Sequence, residues 1–197
     1  MDMMVGGGES GEAMERKPAS YADLEALPEN VIGEIVAGTL YASPRPAMPH
    51  TLASSRLAGE LSGPFDRGRG GPGGWFVFFE PELHLGEDVL VPDLAGWRRE
   101  RMPTAPRTAA VTLAPDWVCE VLSPSTMALD RAAKLPVYAH ERVRHLWFMD
   151  PQARTLEVLR LDAERYTLLA AHAGPARVRA EPFEAIELEL AFFWGEP

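Results

Sequence analysis

Cysteine and lysine are among the scarce residues of this 197-residue chain. Cys119 is the single cysteine, which excludes an internal disulfide framework and a cysteine-built metal cluster and suits a reducing compartment. No apolar run approaches the length that a membrane-crossing helix needs, so no membrane partner is expected. The opening M-D-M-M-V-G-G-G-E-S-G-E has neither a basic start nor an apolar core, which excludes a secretory signal, and a cytoplasmic location is expected. The glycine-rich R-G-R-G-G-P-G-G has no G-K-[ST] ending and no strand immediately before it, so it reads as a flexible loop rather than a phosphate cradle. Positive charge is short as well. Against 29 acids stand 19 bases, a net of −10, which argues against indiscriminate binding to nucleic acid, whose affinity rests on neutralising phosphates.

The shortage is uneven. Residues 1–18 hold four acids and two bases, and residues 181–197 hold five acids and no base, so much of the acidic excess is terminal and a local basic groove stays open. Seventeen of the bases are arginine, and Lys17 and Lys134 are the two lysines. Lys17 falls in the N-terminal stretch, which leaves Lys134 alone in the body of the chain. Drift of composition toward arginine is the bland explanation. The sharper one is that position 134 needs a compact, protonatable ammonium that a planar guanidinium cannot replace.

At 46% apolar and 24% charged the balance is that of a globular protein, and the length suits one domain. Residues 1–18 are expected to form a disordered, acidic, glycine-rich tail and residues 19–197 one folded domain. Ser20 is placed to cap a short helix, S-Y-A-D-L-E-A-L, with Asp23 at the capping-box position. G-E-I-V-A-G-T-L-Y-A-S-P predicts a hairpin turning at Ala37-Gly38. Pro44, Pro46 and Pro49 break the chain before a helix, H-T-L-A-S-S-R-L-A-G-E-L. W-F-V-F-F-E-P-E-L-H-L predicts one or two strands and V-L-V-P-D-L-A-G-W another. After the strand W-V-C-E-V-L a helix is expected from about Met127 to His140, followed by strands in H-L-W-F-M-D-P, T-L-E-V-L-R-L and Y-T-L-L-A-A-H. Strands interrupted by helices predict one α/β or α+β domain around a mixed sheet.

Two carboxylates sit where apolar side chains are expected. Glu120 alternates onto the face of Val118 and Leu122, and Asp93 onto that of Val91, Ala95 and Trp97, with Pro92 marking an edge or bulge. The helix that follows carries Asp130, Lys134 and Tyr138 on one stripe, and Pro136 predicts a kink just beyond Lys134. Singly, each has an ordinary reading: an acid paired with an arginine, a turn cap, a helical ion pair of small value. Together, two acids on apolar faces followed at once by a lysine-bearing helix suit a hard divalent ion, Mg²⁺ or Mn²⁺, because carboxylate oxygens are its preferred ligands.

The combination of P-D at 92–93, E-V-L-S-P-S-T at 120–126, D-x-x-x-K-x-x-x-Y from Asp130 to Tyr138 and H-L-W-F-M-D-P at 145–151 resembles the bacterial Uma-type family, described as restriction endonucleases, within the PD-(D/E)xK nuclease superfamily. G-E-I-V-A-G-T-L, with Glu34, resembles the first motif of that family, and the likeness runs from about Ser20 to the C-terminus. It implies a restriction-endonuclease-like core, a mixed β-sheet flanked by helices. It also implies a metal-dependent DNA endonuclease in which Asp93, Glu120 and the Val121 carbonyl hold Mg²⁺ (or Mn²⁺), with Glu34 as a further acid. One departure stands out: Leu122 occupies the place of the superfamily's strand lysine, and the resemblance implies that Lys134 on the helix takes over.

Among the remaining candidates, Arg98, Arg99 and Arg101, with Arg107, Arg67 and Arg69, are either phosphate contacts or solvated loop charges. His50, Asp130 and Tyr138 are accessory candidates, and Glu82 with His84 form a weak one. Cys119 points away from Glu120 and reads as a small core residue. Ser123 and Ser125 read as turn and cap residues. Three functions compete: a metal-dependent endonuclease acting on DNA; a catalytically inactive nuclease-like scaffold that binds nucleic acid or a protein; and an interaction protein joined through exposed strands. A homodimer would let two sites cut two strands symmetrically.

Overall fold

The computed structural model describes residues 17–196; most of the expected tail, residues 1–16, lies outside the described residues. In chain order the elements are α1 (Tyr21–Glu25), β1 (Val31–Val36), β2 (Thr39–Pro44), α2 (Met48–Leu61), β3 (Trp75–Phe79), β4 (Glu82–Leu85), β5 (Asp88–Leu90), β6 (Leu94–Arg98), β7 (Ala110–Val111), β8 (Trp117–Val121), α3 (Leu135–His140), β9 (His145–Asp150), β10 (Thr155–Asp162), β11 (Arg165–Ala173), β12 (Arg177–Val178), β13 (Leu188–Glu189) and α4 (Leu190–Phe193). A π-helical turn, Ser62–Asp66, extends α2, and a π-helical stretch, Leu129–Lys134, leads directly into α3.

The α+β class holds, with two larger sheets rather than one. A six-stranded mixed sheet runs β11-β10-β9-β8-β6-β3, with β8 and β9 parallel. A five-stranded sheet runs β2-β1-β5-β4-β7, with β4 and β7 parallel. Local chemistry sets the small elements as expected. Ser20 and Asp23 exchange both capping-box bonds at α1. The β1–β2 hairpin turns at Ala37-Gly38, where φ is +49° and +73°, the left-handed pair that a tight two-residue turn requires.

Two expectations change, and the choice between one strand and two in W-F-V-F-F-E-P-E-L-H-L is settled as two. Pro49 does not precede α2 but sits inside its first turn, where the missing N–H costs no helical bond. W-F-V-F-F-E-P-E-L-H-L divides between the two sheets, as β3 and β4. V-L-V-P-D-L-A-G-W is not one strand either: β5 belongs to the five-stranded sheet and β6 to the six-stranded one. Val91 and Pro92 cross between them, so Val91 does not share the face of Ala95 and Trp97. Proline cannot donate to a ladder, which makes Pro92 a natural place for the crossing.

The central strands β6, β8 and β9 of the six-stranded sheet are buried on both faces. One face carries Trp75, Trp117 and Trp147 around Phe183, closed by Ala53, Leu57 and Leu61 of α2. Gly96 suits the tight packing there, because a Cβ would stand 3.2 Å from the Trp117 ring and 3.3 Å from the Trp75 ring and the rings would have to give by a few tenths of an ångström. The opposite face packs Val118, Leu122, Leu146 and Phe148 against the five-stranded sheet and Tyr138 of α3. Each such aliphatic or aromatic side chain gains roughly 1.5–3 kcal/mol on full burial. Glu120 emerges on this second face, at the seam where β8, β1 and the helix after β8 meet.

Candidate active site

Four acids, one lysine, one histidine and one tyrosine converge at that seam. Strand alternation sends Cys119 and Val121 to the tryptophan side and turns Glu120 the other way. Its carboxylate is 1% exposed; Oε1 accepts from Tyr138 Oη at 2.6 Å and meets Lys134 Nζ at 3.3 Å. Lys134, 3% exposed, also lies 2.9 Å from Glu34 Oε1 and 3.1 Å from Asp130 Oδ1. Glu34 reaches in from β1, and the Val91 N–H donates to its Oε1 at 2.7 Å.

Asp93 stands at the crossing between the sheets. Its Oδ2 accepts the Val121 N–H at 2.7 Å, and its Oδ1 lies 3.0 Å from His50 Nε2 on the first turn of α2. The other ring nitrogen of His50, Nδ1, is buried and finds no partner among the described residues. Pro136, the position of the expected kink, stands in the first turn of α3, directly after the π-helical stretch Leu129–Lys134. Pro136 offers no N–H to the preceding turn, and the wider π geometry accommodates that loss while holding Asp130 against Lys134.

The electrostatics follow from burial. Desolvation pushes Glu120 well above the ordinary carboxylate range, with Lys134 opposing it and Asp130, Asp93 and Glu34 adding to it. Glu34 and Asp130 are raised for the same first reason. Burial alone would lower the Lys134 ammonium, but Glu120, Glu34 and Asp130 outweigh it and hold it well above its usual value. Desolvation lifts the Tyr138 phenol well above 10.0, so it stays a donor to Glu120. For His50, burial works downward while the hydrogen bond and charge of Asp93 win and raise it.

A cavity of about 290 Å³ opens onto these groups, lined by Glu34, His50, Asp93, Glu120, Asp130 and Lys134 on one side and by Ile32, Pro44, Pro46 and Pro124 among others. Among the described residues no three His, Cys, Asp or Glu side chains converge so as to hold an ion by themselves. That speaks against an all-protein cage. It does not conflict with Mg²⁺, which keeps several waters and needs only one or two carboxylates. Asp93 and Glu120 supply that number of hard oxygens to one cavity, and both bonds to Glu120 fall on Oε1.

Of the other sequence candidates, Ser123 and Ser125 line this cavity and the rest lie elsewhere. Arg98, Arg99 and Arg101 occupy the far end of β6 and the turn beyond it. Arg98 lies over the Trp75 ring, Arg99 pairs with Asp66 at 2.6 Å and Arg101 with Asp116 at 3.0 Å. Arg67, Arg69 and Arg107 are on exposed loops. Glu82 and His84 bond each other at 2.7 Å on β4, with Tyr21 donating to Glu82. Cys119 is fully buried in the tryptophan core. Ser123 and Ser125 bond each other at 2.9 Å at the turn before the helix and line the cavity.

Two residues escaped the sequence reading. Arg45 lines the cavity from the P-R-P segment. Glu80 holds the Asp93 carbonyl through its N–H at 3.0 Å and is raised by burial, then by the Asp93 charge. Its φ of +45° is a tertiary constraint with no local sequence signal.

Among curated proteins none matches the chain significantly. A solved structure described as "a putative nuclease belonging to DUF820 from Anabaena variabilis ATCC 29413" superposes with a TM-score of 0.73 at 21% identity, over 90% of this chain and 98% of that one, and the two share a fold. The model of the Uma2 family, described as "Putative restriction endonuclease", matches residues 18–192, so the chain belongs to that family.

Proposed function

We propose that this protein is a metal-dependent endonuclease that hydrolyses phosphodiester bonds in DNA, with residues 19–197 as the nuclease domain of a cytoplasmic protein. One observation carries the reading: four carboxylates, Glu34, Asp93, Glu120 and Asp130, share a largely buried site with a single ammonium, Lys134. Buried negative charge in that excess is costly unless a cation joins it or protons neutralise part of it. Membership of a family described as restriction endonucleases supports the same reading.

A Mg²⁺ or Mn²⁺ ion held by Asp93, Glu120 and the Val121 carbonyl would supply Lewis acidity and a bound water of lowered pKa. The chain's own groups do the rest. Lys134, fixed by three carboxylates, presents positive charge where the pentavalent phosphorus gathers negative charge. It fills from the helix the role that Leu122 cannot fill from the strand. Tyr138 locks the Glu120 carboxylate through Oε1, and His50 with the Val121 N–H locks both oxygens of Asp93. Glu34 orients Lys134 and is placed to accept a proton. The apolar walls limit water around the reacting phosphate. A homodimer would set two such sites on opposite strands.

The alternative of an inactive scaffold draws on one feature: each contact of Lys134 is already taken by a carboxylate. A plasmid-nicking assay with Mg²⁺ or Mn²⁺, and with EDTA as control, separates the two. Nicking that requires the ion is expected, and an inert protein that still binds the ion would favour the scaffold.

A further inference from the structure

A nucleic-acid strand that approaches this cavity brings phosphates toward four carboxylates, Glu34, Asp93, Glu120 and Asp130. Lys134, 3% exposed and held by three of them, lies too deep to serve the strand on either side of the reacting phosphate. The hydroxyls of Ser123, Ser125 and Thr126 also line the cavity, but Ser123 bonds the other two at 2.9 and 3.0 Å, and none carries charge. Binding to a nucleic-acid backbone draws much of its affinity from neutralising phosphates. The site therefore needs a cation nearer the surface.

Arg45 lines the same cavity and is exposed. It donates to the Glu29 carbonyl at 3.3 Å and, among the described residues, pairs with no carboxylate. Arg99, Arg101 and Arg131, by contrast, each end on an acid, at 2.6, 3.0 and 2.6 Å. A guanidinium presents five N–H donors in a planar fork, so one bond to a carbonyl leaves most of the fork for the non-bridging oxygens of a phosphate. The backbone beneath it is restricted on both sides. Pro44, the last residue of β2, has a fixed φ, and Pro46 confines Arg45 to extended conformations. A side chain carried on so stiff a segment loses less freedom when it binds. The charges of His50 and Arg45 both act on Glu80, whose N–H holds the Asp93 carbonyl, which sets Arg45 toward the Asp93 end of the cavity.

We infer that Arg45 is the phosphate anchor of this site: its guanidinium grips a backbone phosphate of the substrate beside the scissile one and acts in binding, not in the chemical step. The inference rests on the nuclease reading given above. Its test follows the binding of a labelled duplex oligodeoxynucleotide by fluorescence anisotropy over a series of KCl concentrations with Ca²⁺ present, and cleavage of the same duplex with Mg²⁺. Arg45→Ala should weaken binding about tenfold, the loss of one charged hydrogen-bonded contact. It should also make the slope of log affinity against log salt shallower by about 1, the mark of one phosphate contact removed. In cleavage, KM should rise in proportion while kcat is kept. Arg45→Lys retains a point charge without the fork, so it should keep the parent's salt slope while binding more weakly. A merely structural role, holding the Glu29 loop, would move thermal unfolding and leave the salt slope alone. The inference is overturned by an Arg45→Ala protein with the parent's affinity and slope, by an Arg45→Lys protein whose slope matches that of Ala, or by a loss confined to kcat, even where the parent cuts DNA. If the parent neither binds nor cuts the duplex, the nuclease reading itself fails and this inference with it.

Discussion

Lys134 Nζ lies 2.9 Å from Glu34 Oε1, joining the helix after β8 to the first strand of the other large sheet. The contact ties the two sheets together at the site where Glu120 and Asp130 also meet the same ammonium.

Replacing Lys134 by Met leaves three buried carboxylates around an apolar side chain. Removing one partner of a buried ion pair costs about 3–5 kcal/mol, and thermal unfolding should register a loss of that order. Plasmid nicking should disappear while calorimetry still detects Mg²⁺ binding. Undiminished nicking would remove Lys134 from the mechanism.

Asp93→Ala should abolish the heat of Mg²⁺ binding. It also strands the buried Val121 N–H, which now donates to Oδ2 at 2.7 Å, at a cost of about 1–3 kcal/mol. Asp93→Asn keeps an oxygen acceptor for that N–H, so urea unfolding should show a smaller loss for Asn than for Ala. Equal losses would mean that the hydrogen bond does not hold the crossing between the sheets.

Tyr138→Phe removes one donor from Glu120 and little else, because the ring stays packed in the core. A hydrogen bond to a charged group contributes about 1.5–3 kcal/mol, and denaturant titration should show a loss in that range. Turnover should fall through kcat with KM for DNA unchanged, since the phenol positions Glu120 and does not touch the substrate. A change confined to KM would contradict that assignment.

His145 gives the pH dependence of stability. Burial, followed by the charges of Arg144 and Arg98, holds its imidazole down to about 4 from the ordinary value of 6.5. The unfolded chain takes up a proton near 6.5, whereas the native state resists until about 4. Stability linked to His145 is therefore complete above 6.5 and is lost as the pH falls through about 4, with a slope of at most about 1.4 kcal/mol per pH unit. His145→Gln should remove that slope. Parallel unfolding curves for parent and variant across the interval would show that His145 is not the titrating group.

Much of the candidate site was legible because its members declare themselves locally. Glu120 interrupts an alternating apolar strand between Val118 and Leu122. Asp130, Lys134 and Tyr138 recur at helical spacing, and Lys134 is the lone lysine of the body. The inventory of strands and helices was readable for the same reason, down to the Ala37-Gly38 turn. The arginines of the loop after β6 carried no such signal. Arg98, Arg99 and Arg101 look like phosphate contacts by charge alone, yet the direction of β6 carries them to the end opposite Asp93, onto Asp66, Asp116 and the Trp75 ring. Arg45 and Glu80 were invisible because neither breaks a local pattern.

The sequence by itself determined which way each side chain faces within its own element, since strand alternation and helical periodicity fix direction over a few residues. It thereby decided that Glu120 points inward and that Asp130, Lys134 and Tyr138 share a stripe. Only the tertiary structure decided that V-L-V-P-D-L-A-G-W splits between two sheets and that Glu34 reaches Lys134. It also decided that Asp93 pairs with His50 rather than with the lysine. The reason is physical: strand order and the desolvation of charges at a seam depend on segments far apart in the chain, and no local periodicity records them.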